Sequence, residues 1–207
     1  MYLRSEGVIL SHRNFGEADR LLTIYTRDFG KLSAIAKGVR RPRSKKAGHV
    51  ELGSLCKVFI AKGKNLDLLT EVESRYSFGI THFSQDKANK IYHLLEIVES
   101  LTPTGQKNPQ VFSLLVSALK KIEKEEDFNL ISSVFKIKLL KVLGFFSTKT
   151  LSWSKTRDII EILEEENFED AKNKLSLSPS SYLKLLAFLD SMIEDISGSN
   201  LKTARFL

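Results

Sequence analysis

The chain has 207 residues, 42% hydrophobic and 28% charged, with a net charge of +7, a balance that suits one larger or two smaller domains with a buried core and excludes a disordered tail. No apolar run is long enough to span a membrane, and the first ten residues, MYLRSEGVIL, lack the apolar stretch and cleavage site of a signal peptide, so a cytoplasmic protein is expected. The single cysteine, Cys56, excludes a disulfide framework or a zinc site of several thiolates, and in the apolar run SLCKVFIA it reads as a small buried side chain.

From Glu6 to about Ser77 the pattern is that of strands. GVILSH is followed by the polar turn NFGEAD and then by RLLTIYT, in which Leu22 and Ile24 alternate with Thr23 and Tyr25. RDFG is a turn and KLSAIAKG a third strand; SLCKVFIA and, past KGKN, LDLLTEVES complete the set. Five strands in so short a span predict a small closed or partly closed barrel.

Between the third and fourth strands lies KGVRRPRSKK, residues 37–46, with six cations and no acid. The charge is concentrated around it: residues 1–80 hold 15 Lys and Arg against 8 Asp and Glu, whereas residues 81–207 hold 17 of each. A polyanion is the natural partner of such a block, the competing role being a solvated loop without a ligand. Gly38, Pro42, Gly48 and Gly53 keep the segment out of regular structure. Among five-stranded barrels the oligonucleotide-binding (OB) fold binds single strands with a cationic groove and aromatic platforms. Phe15, Tyr25 and Phe29 are the available aromatics, with core packing the competing role for each.

Beyond residue 80 the period becomes helical. Ser84 is placed to cap a helix through KANKIYHLLEIVESL, which ends before Pro103. Asn108 and Pro109 start PQVFSLLVSALKKIEK, and Asp127 caps FNLISSVFKIKLLKVL, stopped by Gly144. That third helix is apolar on nearly every side, as befits the centre of a bundle. Two more stretches follow, about 155–166 and 179–196, the latter capped by Ser178. The fold class is therefore α+β, a five-stranded OB-fold barrel over residues 1–80 followed by an all-α domain over 81–207.

A second cationic block, residues 128–157, carries Lys136, Lys138, Lys141, Lys149, Lys155 and Arg157 without an acid. Lys138 and Lys141 share a helix face and flank an apolar pocket suited to a peptide ending in acidic and aromatic residues, the competing role being to solubilise an apolar helix. No HxxEH helix or GxxxxGK[ST] loop is present, and His12, His49, His82 and His93 have no metal-like spacing, so no enzyme is expected; a magnesium-dependent nuclease on Glu17 and Asp19 is the minor alternative.

The stretch GEADRLLTIYTRDFGKLSAIAKGVRRPRSK resembles the N-terminal domain of the RecO family of bacterial recombination mediators. The matching residues are Gly16, Glu17, Asp19 and Leu21, then Thr26, Gly30 and Lys31, then Ala36, Lys37, Gly38, Arg40 and Ser44. LLTEVES, FKIKLLKVLGF, the LSP of residues 177–179 and the closing LKTARFL also resemble family segments. Many relatives carry a four-cysteine zinc module after a Leu-Gly-aromatic motif, matched here by Leu143, Gly144 and Phe145; this chain has no cysteine beyond Cys56, so no zinc or other cofactor is expected.

The resemblance implies binding of single- and double-stranded DNA, annealing of complementary strands and, with RecR, promotion of RecA loading on DNA coated by single-strand-binding protein. DNA contacts are expected from Lys37, Arg40, Arg41, Arg43, Lys45, Lys46, Lys31 and Arg20, with Tyr25 as an aromatic platform. Glu17 and Asp19 are expected to fix the turn or pair with the cationic loop. The acidic, phenylalanine-ended tail of single-strand-binding protein is assigned to Lys136, Lys138 and Lys141, with Phe135, Leu139 and Phe145 lining the pocket. The alternative is a general barrel protein for single-stranded DNA or RNA with a helical dimerisation domain.

Overall fold

The computed structural model describes residues 1–78, 85–124, 127–146 and 154–204, the side chains of 154–156 excepted. Five strands, β1 Tyr2–Phe15, β2 Asp19–Thr26, β3 Gly30–Ala36, β4 Leu55–Ala61 and β5 Asp67–Tyr76, close a barrel in the order β1-β2-β3-β5-β4. Every pairing is antiparallel except β3 with β5, where Ala34 and Ile35 lie beside Asp67 and Leu68. The fold is the expected α+β arrangement of a five-stranded barrel followed by helices.

β1 is much longer than GVILSH because it pairs twice: Tyr2 to Val8 with β4, and Gly7 to Phe15 with β2. At the overlap Gly7 admits the neighbouring strand, since a Cβ there would lie 2.7 Å from the Ile24 side chain. A bulge between Ile9 and Ser11 bends the strand so that it serves both partners. Alternation then sorts the side chains. Leu3, Ile9, Leu22, Ile24, Leu32 and Val58 fill the barrel, while Val8, Leu10 and Tyr25 point outward into a core shared with the helices.

The helices are α1 Gln85–Leu101, α2 Pro109–Lys124, α3 Phe128–Val142, α4 Ser154–Glu165, α5 Phe168–Lys174 and α6 Pro179–Ser197. Asn108 caps α2 by accepting from the amides of Gln110 and Val111, Asp127 caps α3 through Leu130 N, and Ser178 caps α6 through Ser181 N. The expected Ser84 cap lies outside the described residues. α5 has no counterpart among the predicted helices: it is seven residues long, capped by Asn167, and buries only Ala171 fully. α3 packs against α2, α4, α5 and α6, so nearly its whole circumference is covered. Its end is a Schellman turn in which Gly144 N and Phe145 N donate to the carbonyls of Lys141 and Leu140, with Gly144 at φ +79°. The Leu143-Gly144-Phe145 motif is thus a helix stop.

Barrel and helices are joined through the Thr-x-x-x-Gly-Lys segment. Thr26 Oγ1 donates to Gly30 O at 2.8 Å and accepts from Phe29 N, which tightens the β2–β3 turn. Lys31 Nζ donates to the Glu99 carbonyl in the last turn of α1, where a cation meets the negative end of the helix dipole. Gly105 N donates to Lys31 O at 2.8 Å, and Ser11 Oγ donates to Glu99 Oε1 at 2.8 Å. The closing segment docks on the same helix: Leu201 is buried, and the amides of Lys202 and Thr203 both donate at 2.9 Å to the Glu96 carboxylate.

Candidate nucleic-acid interface

The loop from Lys37 to Ser54 crosses one end of the barrel. Val39 and Val50 are its apolar anchors, both buried in the barrel core, and between them the backbone runs through successive turns. Gly38, at φ +64°, reverses the chain so that its N–H donates to Asp19 Oδ1 at 2.7 Å. Arg40 N donates to Ala18 O at 2.9 Å, Arg41 N to Gly38 O and Ser44 N to Arg41 O. At the far side Lys46 Nζ donates to Leu69 O at 3.1 Å and His49 Nδ1 accepts from Ser74 N at 3.2 Å, both on β5. Beneath the loop Cys56 donates to His49 O, and burial pushes its thiol up to about 12, so it is an inert packing group.

Anchored at both ends, the loop presents Lys37, Arg40, Arg41, Arg43 and Lys45, all exposed. Among the described residues the ion pairs lie elsewhere, such as Arg27 with Glu6 and Lys62 with Asp67, and none of those five cations is in one. Five fixed-sign charges with no acidic partner among the described residues leave their field to solvent, which is the condition for holding a polyanion.

The remaining predicted contacts sit differently. Lys31 and Lys46 are bonded to carbonyls, and Arg20 lies half-buried on β2 with its Nε enclosed and without a partner. Tyr25 is a correction: its ring is 0% exposed in the core shared with the helices, and its hydroxyl, pushed up to about 12 by burial, donates to Asn108 O. A base has no face of it to stack on. Phe29 is half-buried against the barrel interior. Phe15 is the aromatic that meets the requirement, 39% exposed at the end of β1 and one residue before Gly16, whose carbonyl accepts from Arg40 Nη1 at 3.5 Å. The two motif strings, Gly-Glu-x-Asp and Ala-Lys-Gly-x-Arg, therefore form one unit, in which Asp19 is bonded to the cationic loop through Gly38 N.

In the helices, three residues assigned to peptide binding are corrected by burial. Phe135 and Leu139 lie in the core, and Lys136, 0% exposed, forms an ion pair with Asp190 at 2.6 Å; none is available to a ligand. Burial holds the Lys136 ammonium below its usual range despite that carboxylate. His93 Nε2 lies 3.4 Å from the same Asp190 oxygen, and its Nδ1 is 3.0 Å from Thr203 Oγ1. Lys138 and Lys141 do line one groove of about 540 Å³, with Pro109, Leu114 and Val142 as its apolar walls. Lys141 pairs there with Glu164 at 2.6 Å, and Lys138 is held below its usual range by burial and by Lys141. Phe145 is exposed beside a different, smaller cavity lined by Tyr25 and Leu101. The groove residues from α2 were missed by sequence reasoning. Their signal is Leu114, an apolar residue one place off the buried stripe of Val111, Leu115 and Ile122.

Comparison with known proteins agrees with this layout. Residues 1–78 match the family model for the recombination protein O N terminal and residues 90–147 that for its C terminal. The DNA repair protein RecO of Desulfitobacterium hafniense is 33% identical over 141 residues, 68% of this chain and 51% of that protein. That of Rubrobacter xylanophilus is 37% identical over 143 residues, 69% of this chain and 57% of the relative. The chain thus spans about half the length of these curated relatives, whereas the Halalkalibacterium halodurans protein, 22% identical, is matched over 100% of this chain and 94% of its own length. With both terminal family models matched, one on the barrel and the other within the helices, the chain belongs to the RecO family.

Proposed function

We propose that this chain is a recombination mediator that binds DNA, anneals complementary single strands and, with RecR, promotes RecA loading on DNA coated by single-strand-binding protein. The observation that supports the reading is the anchored loop with five exposed cations, none in an ion pair among the described residues, beside the exposed ring of Phe15. Guanidinium groups of Arg40, Arg41 and Arg43 fork onto phosphates, Lys37 and Lys45 add point charges, and Phe15 stacks on a base. Phosphate contacts of this kind release counterions and give affinity without base specificity. Five neutralised phosphates correspond to a log–log salt slope of about −3.5 on a single strand, from roughly −0.7 per contact. Annealing needs the same property, because two like-charged backbones must approach each other.

No bond is made or broken in this role; the chain works by neutralising and positioning, as expected of a cytoplasmic, nucleoid-associated protein. The Lys138–Lys141 groove takes the acidic tail of single-strand-binding protein, its apolar walls receiving the terminal phenylalanine. The test is annealing of complementary oligonucleotides coated with the cognate single-strand-binding protein, comparing the unmodified chain with Arg40→Ala/Arg41→Ala/Arg43→Ala. Annealing that the variant loses supports the reading. Binding of bare DNA without annealing of coated strands would leave only a general single-strand-binding barrel.

A further inference from the structure

A carboxylate in a phosphate-binding surface is an electrostatic liability, yet Asp19 sits against the cationic loop. Three bonds join the β1–β2 turn to that loop: Gly38 N to Asp19 Oδ1 at 2.7 Å, Arg40 N to Ala18 O at 2.9 Å and Arg40 Nη1 to Gly16 O at 3.5 Å. The shortest of them, charge-assisted by the Asp19 carboxylate, falls on Gly38, where the backbone takes φ +64° and sends the chain toward Arg40 and Arg41. Arg41 N then closes on Gly38 O and Ser44 N on Arg41 O, so the geometry of the arginine segment is built outward from the contact with Asp19.

We infer that Asp19 is a positioning residue for phosphate binding, its carboxylate oxygen holding the loop so that Arg40, Arg41 and Arg43 stand in place before the strand arrives. This rests on the loop being the DNA contact. Asp19 acts through the loop backbone and makes no bond to an arginine side chain, so it orders the loop without occupying the guanidinium groups and lowers the ordering cost of binding.

Charge and position act with opposite sign here, which makes the inference testable. Removing a negative charge beside a polyanion site strengthens binding, whereas releasing the loop weakens it. Asp19→Ala removes both the charge and the acceptor; Asp19→Asn removes the charge and keeps an acceptor oxygen; Gly38→Ala disturbs the left-handed turn with no change of charge. Binding of a fluorescent oligothymidylate is measured across a salt series. Asp19→Ala is expected to bind about five- to tenfold more weakly, the scale of one lost charge-assisted bond to a backbone N–H. Its salt slope stays at the unmodified value, because the same phosphates are neutralised once the strand is bound. Asp19→Asn is expected to bind at least as tightly as the unmodified chain, and Gly38→Ala to weaken as Asp19→Ala does.

Wild-type or tighter binding by Asp19→Ala would overturn the inference, and so would equal weakening by Asp19→Asn. Melting curves establish that each variant is folded at the assay temperature; if Asp19→Ala is not, Gly38→Ala carries the comparison, and wild-type affinity in it overturns the inference. The triple arginine variant separates the two levels. Should it keep full affinity, the loop is not the contact and the functional reading fails; should it lose affinity while Asp19→Ala does not, only the positioning role fails.

Discussion

Gly30→Ala tests whether the Thr-x-x-x-Gly-Lys segment joins the barrel to the helices or touches DNA. Gly30 has φ +68°, where an L side chain costs about 1 to 2 kcal/mol. A Cβ at this position would lie 1.9 Å from the Gln106 carbonyl oxygen, so the connector between α1 and α2 must retreat by at least about 1 Å. That movement breaks the Gly105–Lys31 backbone bond, about 1 kcal/mol, and loosens Lys31 on the end of α1, about as much again. The sum is about 3 to 4 kcal/mol, which for a chain of this size lowers Tm by about 6 to 16 °C. Gly16→Ala is the internal standard: Gly16 has φ +56° and nothing within 4 Å of an added Cβ, so it loses only the backbone part, about 1 to 2 kcal/mol. Scanning calorimetry of both variants, with DNA affinity measured below their transitions, reads the difference. A Gly30→Ala melt no lower than that of Gly16→Ala would refute the docking argument, and loss of DNA affinity in the still-folded Gly30→Ala protein would make the segment part of the contact.

Three further outcomes follow from the helical core and the groove. Asp190→Ala leaves Lys136 buried without its counterion and is expected to cost about 3 kcal/mol in urea unfolding, whereas Lys136→Met/Asp190→Leu, which removes both charges, stays within about 1 kcal/mol of the unmodified chain; equal costs would sink the argument. Burial, aided by Lys136, lowers the proton affinity of His93 below its ordinary 6.5. The unfolded chain therefore binds more protons than the native one below that value, and stability is complete above pH 6.5 and is lost as pH falls through the window beneath it. His93→Gln should shrink this acid limb in melts between about pH 5 and 7, leaving the share contributed by His12, which burial shifts in the same direction; an unaltered limb would show that His93 does not titrate in it. Finally, Lys138→Glu/Lys141→Glu should weaken binding of an acidic, phenylalanine-ended peptide by about tenfold or more in fluorescence anisotropy, and unchanged affinity would remove the groove as its site.

What could be read from the sequence divides along physical lines. The start of α2 was legible because Asn108 and Pro109 act locally, and the same holds for Asp127 and Ser178. The length of β1 was not, because Ser5 and Gly7 hold inward or crossing positions that an apolar–polar pattern does not mark, and their place is set by β4, far along the chain. The basic loop was legible from charge alone. Tyr25 was not: alternation says which side chains share a face of a strand, but not that helices cover the outer face of this one. Lys136, Lys138 and Lys141 look alike in sequence and differ in fate, since the acid that draws Lys136 inward comes from α6.

The residues that carry the family resemblance in the barrel fall into two groups, at opposite ends of β2. At its start Gly16, Asp19, Gly38 and the backbone of Arg40 shape the loop; at its end Thr26, Gly30 and Lys31 dock the barrel on α1 and the connector that follows it. Most of them act through backbone geometry or through bonds to backbone, and Glu17, Lys37 and Arg40 are the exposed charged ones. That division follows from the chemistry proposed for the site. A phosphate backbone is recognised by charge placed at the right height and spacing, so one exposed cation does nearly the work of another, whereas a turn at φ +64° closed by a single carboxylate oxygen has few substitutes. On the proposed chemistry, the scaffold beneath the cations is therefore more narrowly specified than the cations themselves.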